Sequence, residues 1–228
     1  MESYPDRARA ALEAARLMLI FTPDELQEGS REARLRAALP HVDVLQVRTK
    51  RPGEKRGPSP ARPLLEWTEL ALDLAAGLPT DRRPLILVDD RVDVLAALGH
   101  RELAGVHLGD RDCPPERARG VVGADPIIGW STHSLADVEA AHRLPVDYLG
   151  FGPVAATRTK GLTHGLGCDH AREAIGTASL PVFAIGGMTP SLARELGTEA
   201  RVAVGAAILD APDVEQAANE FREALAEA

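Results

Sequence analysis

Eight short apolar segments punctuate the chain, and stretches with helical spacing lie between them. The segments are Leu17–Phe21, Val44–Arg48, Leu85–Val88, Gly105–Leu108, Ile127–Trp130, Tyr148–Phe151, Val182–Ile185 and Val202–Val204. They are short and mostly apolar throughout, as expected of parallel strands covered on both faces. Between them, Leu64–Leu74, Val92–Leu98, Leu135–His142 and Val214–Leu225 place apolar residues at i, i+3 and i+4. That is the spacing of a helix with one buried stripe. Ser134 and Asp213 stand where N-terminal caps belong.

Strand–helix alternation dictates parallel pairing, because a parallel partner is reached only through a long crossover. Eight such units in 228 residues predict one α/β domain over 1–228, a closed (β/α)8 TIM barrel. An open doubly wound sheet is the competing arrangement. Only 4% of the residues are aromatic, so the core has to be built from Leu, Val, Ile and Ala, as a barrel interior is. Residues 1–16 read as an extra amphipathic N-terminal helix. They contain Glu2, Asp6 and Glu13 and no apolar run, which is not the pattern of a signal peptide. Residues 51–63 break the rhythm with four prolines, two glycines and the basic Arg51, Lys55, Arg56 and Arg62. They form either a solvated loop insertion or a mobile basic lid at the mouth of the barrel.

A formal net charge of -8 argues against nucleic acid or an anionic membrane as partner. No apolar run approaches the length of a membrane span. Cys113 and Cys168 are far apart and make neither a CxxC pair nor a disulfide framework, which predicts a cytoplasmic protein.

In a barrel of this kind chemistry gathers where strands end and loops begin. After strand two, alternation puts Gln46, Arg48 and Lys50 on one side, able to grip a polyphosphate if that side is the barrel mouth. Asp89 and Asp90 follow strand three, and Asp110 and Asp112 follow strand four. Asp90 and Asp112 can approach each other, and two carboxylates beside a polyphosphate are what Mg²⁺ requires. Helix capping accounts for one of these acids but not for both strand ends. His107 lies inside the strand pattern and reads as packing. Ser131 and Thr132 offer hydroxyls after strand five, and His133 is a proton shuttle or an orienting group.

The loop after strand six carries Thr157, Arg158, Thr159 and Lys160 among glycines, a composition suited to phosphate. Gly186 and Gly187 after strand seven let backbone N–H groups approach an anion, and Gly205 and Ala206 follow strand eight. Loops seven and eight frequently make the phosphate site of such barrels. The sequence has no GxxxxGK[ST], HExxH, GxSxG or GxGxxG motif.

Taken in order, the stretches LQVRTK, VDDRVDV, GVHLGDRDCP, GWSTHS, DYLGFGPVAATRTKG and AIGGM resemble the thiamine phosphate synthase family from about Leu17 to Ile208. The resemblance implies coupling of hydroxymethylpyrimidine diphosphate to a thiazole phosphate, with release of pyrophosphate by a dissociative, Mg²⁺-assisted substitution. It implies that Gln46, Arg48, Lys50 and Lys160 hold the diphosphate, with Asp89 beside them, and that Asp90 and Asp112 bind Mg²⁺. Ser131 would lie next to the pyrimidine, and Thr157, Thr159, Gly187, Gly205 and Ala206 next to the thiazole phosphate. Arg48, Lys50, Ser131 and Lys160 carry the catalytic roles. The partners implied are these two small molecules, and the assembly into homo-oligomers is left open.

The chain departs from the family pattern at Asp89, where Asn is usual, and at Asp110, where Gln is usual. Ala206 replaces a common Ser, and Ala155–Ala156 a bulkier Phe-Pro pair. Two other readings are compatible with such a barrel. One is a thiazole tautomerase using His133 as acid and base. The other is a non-catalytic barrel that binds thiamine precursors.

Overall fold

The computed structural model describes residues 3–50, 59–99, 101–156 and 165–227. The strands are β1 (Leu17–Phe21), β2 (Val44–Val47), β3 (Leu85–Asp89), β4 (Gly105–Leu108), β5 (Ile127–Thr132), β6 (Tyr148–Phe151), β7 (Val182–Ile185) and β8 (Arg201–Val204). All pair in parallel with their sequence neighbours, and β1 closes onto β8 through Met18 and Ala203. The expected (β/α)8 barrel is therefore formed, not an open sheet. Relative to the sequence expectation, β2 stops one residue earlier, while β3 and β5 run on into Asp89 and Thr132.

The helices are α1 (Tyr4–Ala14), α2 (Arg31–Ala38), α3 (Ala61–Ala76), α4 (Val92–Leu98), α5 (Pro115–Val122), α6 (Leu135–Ala141), α7 (Cys168–Thr177), α8 (Pro190–Leu196), α9 (Ala206–Leu209) and α10 (Val214–Glu227). Their buried faces follow the apolar stripes. In α3 these are Leu64, Thr68, Ala71, Leu72 and Ala75, and in α10 Val214, Ala218, Phe221, Ala224 and Leu225. The Ser134 hydroxyl accepts from the N–H of Asp137, and Asp213 accepts from the N–H of Gln216. Both expected caps are made.

Period-two alternation divides the core in two. Leu17, Leu19, Leu45, Val47, Ile86, Val88, Val106 and Leu108 face the helices. Met18, Val44, Leu85, Leu87, Ile127, Tyr148, Phe183 and Ala203 fill the barrel. Ala8 and Leu12 of α1 join this inner cluster. Tyr4 Oη donates to Glu102 O (2.8 Å), and Arg201 Nη1 donates to Glu13 O and Ala15 O (2.7 and 2.8 Å). The extra helix is thus a plug across the N-terminal ends of the strands. The opposite end is left for the site.

Inward glycines make room for the bulkiest inner side chain. A Cβ on Gly129 would lie 2.1–2.4 Å from atoms of the Tyr148 ring. With Gly there, Tyr148 lies across the barrel and meets Phe183 edge-on at 5.6 Å, a favoured aromatic geometry.

Candidate active site

β2 sends Gln46 inward, and Arg48 and Lys50 continue that alternation beyond its end. All three reach the acidic pair Asp89–Asp90 at the end of β3. Gln46 Nε2 donates to Asp89 Oδ1 (2.5 Å), and Arg48 Nε lies 3.2 Å from Asp89 Oδ2. Lys50 Nζ lies 3.1 Å from Asp90 Oδ2 and 3.9 Å from Asp89 Oδ2. The Lys50 N–H donates to Asp24 Oδ2 (2.8 Å), and Arg48 also has Glu25 at 3.9 Å.

Asp90 has φ 63°, the left-handed region, outside glycine. That conformation is uncommon but is tolerated best by Asn and Asp. Its N–H donates to His107 O (2.8 Å), while its carboxylate takes the Lys50 ammonium and the Ser59 N–H (2.9 Å). Neither Asp89 nor Asp90 caps α4; its N-cap is Arg91, without a side-chain cap bond. Asp112 accepts from the Gly109 N–H (2.8 Å) and lies close enough to Asp90 for that charge to act on it. The expected approach of the two acids is present.

These carboxyls do not titrate alike. Burial and then Asp90 raise Asp89 to about 7, against the pull of Arg48 and Lys50. Burial works to raise Asp90 as well, but Lys50 and the Ser59 N–H hold it below the ordinary range. Burial and Asp90 raise Asp112 to about 6. A half-buried acid beside a second acid is a place where a cation lowers the energy. The pair therefore fits a divalent ion on chemical grounds. No cluster of three or more His, Cys, Asp or Glu converges among the described residues; a divalent ion held by two carboxylates would take its remaining ligands from water and substrate oxygens.

His107 corrects the sequence expectation. It is not inert packing: Nε2 lies 2.9 Å from Ser131 Oγ and Nδ1 lies 2.9 Å from Tyr148 Oη. Tyr148 itself, missed in the sequence as one more strand aromatic, is fully buried, and burial holds its phenol well above the ordinary value. Thr132 is a second correction, because it points away from the barrel and bonds Gly150 O (3.0 Å). His133 Nδ1 is 2.5 Å from Gly152 O, which orients the ring at the edge of the site.

Gln46, Arg48, Asp89, His107 and Ser131 border a cavity of about 510 Å³ at the C-terminal ends of the strands. Arg48, Asp89 and Ser131 line one side, Gly187, Gly205 and Ala206 the other, and Met18 and Phe183 lie deeper. Gly187 has φ 64°, and a Cβ there would lie 2.6 Å from Ala156 O and 2.9 Å from Ala155 Cβ. The small Ala155–Ala156 pair packs directly against this turn. Thr157, Thr159 and Lys160 lie outside the described residues, as does most of the 51–63 insertion.

Fold and site together define a (β/α)8 barrel with cations, carboxylates and glycine turns gathered at the end where such barrels carry their chemistry. A profile described as thiamine monophosphate synthase matches residues 17–209, and the chain belongs to that family. A thiamine-phosphate synthase of Synechococcus sp. (strain CC9605) is 36% identical over 97% of this chain and 59% of its own length. One from Synechococcus sp. (strain WH7803) is 38% identical over 96% and 59%. The chain thus spans about 59% of the length of these curated relatives. Among solved structures, thiamine phosphate pyrophosphorylase from Pyrococcus furiosus is 31% identical with a TM-score of 0.77. That alignment covers 96% of this chain and 98% of the other. The likeness to 3-hexulose-6-phosphate synthase from Salmonella typhimurium, at 16% identity and TM-score 0.63, concerns the fold alone.

Proposed function

We propose that this chain couples hydroxymethylpyrimidine diphosphate to a thiazole phosphate, giving thiamine phosphate and pyrophosphate. One observation carries the reading. Gln46, Arg48 and Lys50 converge on the Asp89–Asp90 edge, where Arg48 and Asp89 open onto the cavity. The family relationship and this gathering of charges both support the reading.

The Gln46 amide, the Arg48 guanidinium and the Lys50 ammonium receive the diphosphate oxygens, joined by Lys160 from the loop after β6. As the C–O bond to the diphosphate breaks, negative charge collects on the leaving group, and cations already in position stabilise it without reorganising. Asp90 and Asp112 are the residues that would hold Mg²⁺, which when bound adds positive charge beside the departing pyrophosphate. Ser131, tied to His107, lies beside the pyrimidine. The turns at Gly187 and Gly205–Ala206, with Thr157 and Thr159, hold the thiazole phosphate. Asp89 belongs to the wall of the diphosphate site. A deep apolar wall of Met18 and Phe183, closed off by α1, limits the access of water to the pyrimidine cation.

The test is direct. Incubation of the purified chain with both precursors and Mg²⁺ should give thiamine phosphate and pyrophosphate in equal amounts, and chelation should stop it. Absence of both products with folded protein overturns the reading.

A further inference from the structure

Gln46, Arg48 and Lys50, the groups assigned to a diphosphate, all come within 4 Å of the Asp89 carboxylate. Asp89 accepts from Gln46 on one oxygen at 2.5 Å and meets Arg48 and Lys50 with the other at 3.2 and 3.9 Å. The residue is only 5% exposed, yet it forms part of the cavity wall. Lys50 has a second acid in Asp90, so that cation is shared. An anion entering here meets two effects at once. It competes with Asp89 for the same donors, and its charge lies against that of the carboxylate.

We propose that Asp89 is an internal counter-ion that sets the affinity of this site for diphosphates, keeping Arg48 and Gln46 in place while weakening the hold on an anion. The inference rests on the diphosphate assignment made above and goes further by giving Asp89 its own role. Its chemistry is simple. An amide of the same size keeps an acceptor oxygen for Gln46 Nε2 and removes the charge. Asp90 still faces Lys50 and Glu25 still faces Arg48, but the charge 3.2 Å from Arg48 Nε is gone. A like charge a few ångströms from a bound anion, in a partly screened site, is worth roughly a factor of ten or more in affinity.

The experiment is calorimetric titration of the full chain with inorganic pyrophosphate and Mg²⁺ at pH 8. Asp89→Asn should bind about tenfold more tightly than the parent. Asp89→Glu, which keeps the charge, should not gain affinity. Unchanged or weaker binding by Asp89→Asn overturns the proposal and makes the carboxylate a positioning group for Arg48. Where Asp89→Asn does not fold, Asp89→Ser removes the same charge and decides the matter by the same criterion. Coupling measured in parallel separates this inference from the reaction. A parent chain that makes no thiamine phosphate while Asp89→Asn still gains pyrophosphate affinity refutes the reaction alone. A chain that couples but shows no such gain refutes the counter-ion alone.

Discussion

Lys50 Nζ lies 3.1 Å from Asp90 and 3.9 Å from Asp89, so one ammonium following β2 is shared by two consecutive acids of the neighbouring strand end. Asp90 in turn meets Asp112 across the end of β4. The charge pattern runs from cation to shared acid to second acid across three adjacent strands.

Asp90→Asn and Asp112→Asn should each lower the coupling rate at least tenfold, with partial recovery at raised Mg²⁺. Steady-state rates across a Mg²⁺ titration measure this. Full activity of the chelated parent enzyme overturns the Mg²⁺ assignment.

The same Asp112→Asn change should stabilise the protein at pH 8. The Asp112 carboxyl is raised from 3.8 to about 6 by burial and by Asp90, so it favours the native state only while protonated. That contribution is complete below about pH 3.8 and lost as pH rises through about 6. With half-exposed charges discounted for screening, the gain is ~1 kcal/mol, or roughly 2–4 °C in melting temperature. Melting curves at pH 4 and pH 8 should differ in this direction, and a variant less stable at pH 8 contradicts the assignment.

Arg48→Ala removes a charge-assisted contact worth ~1.5–3 kcal/mol. It should reduce kcat/KM for the pyrimidine diphosphate roughly 10–150-fold and leave the KM for the thiazole phosphate nearly unchanged. Lys160→Ala should act mainly on kcat, since its charge is wanted most as pyrophosphate departs. A Lys160→Ala variant altered only in its thiazole phosphate KM means that the two phosphate sites have been interchanged.

His133→Asn should retain coupling within a few-fold, because His133 is held at the edge of the site by Gly152 O. A tautomerase would lose its proton shuttle entirely. Parallel assays of coupling and of thiazole isomerisation distinguish the two. Isomerisation by the parent that His133→Asn abolishes, with no coupling, moves the assignment to the tautomerase.

Gly129→Ala should destabilise the chain by ~1–3 kcal/mol, because its Cβ has nowhere to go but into the Tyr148 ring. Gly120→Ala in α5 has open space around it and should be stabilising by up to ~1 kcal/mol. Thermal unfolding of the two variants side by side gives opposite shifts if the barrel interior is packed as described.

The eight strands, the main helix faces and the end of the barrel that carries the polar groups were legible in the sequence. All three depend on local periodicity: two residues for a strand, 3.6 for a helix, and polar residues where a strand gives way to a loop. Gln46, Arg48 and Lys50 could be placed on one side for the same reason. The helical character of residues 4–14 was also legible, but not its place as a plug, since an amphipathic stripe does not say what it packs against.

Partnerships belong to the tertiary structure. Closure of β1 on β8 joins segments nearly the whole chain apart. The bonds from His107 to Ser131 and Tyr148 depend on the register of β4, β5 and β6, because one step along a strand turns a side chain to the other face. The same one-residue step sends Ser131 into the cavity and Thr132 outward against Gly150 O. Asp89, in sequence only a departure from the family's usual Asn, becomes the residue on which Gln46, Arg48 and Lys50 converge. Sequence determined which residues carry charge and which way each strand presents them. Only the packing of strand against strand decided which charges meet, because ion pairing acts through distances that no local pattern encodes.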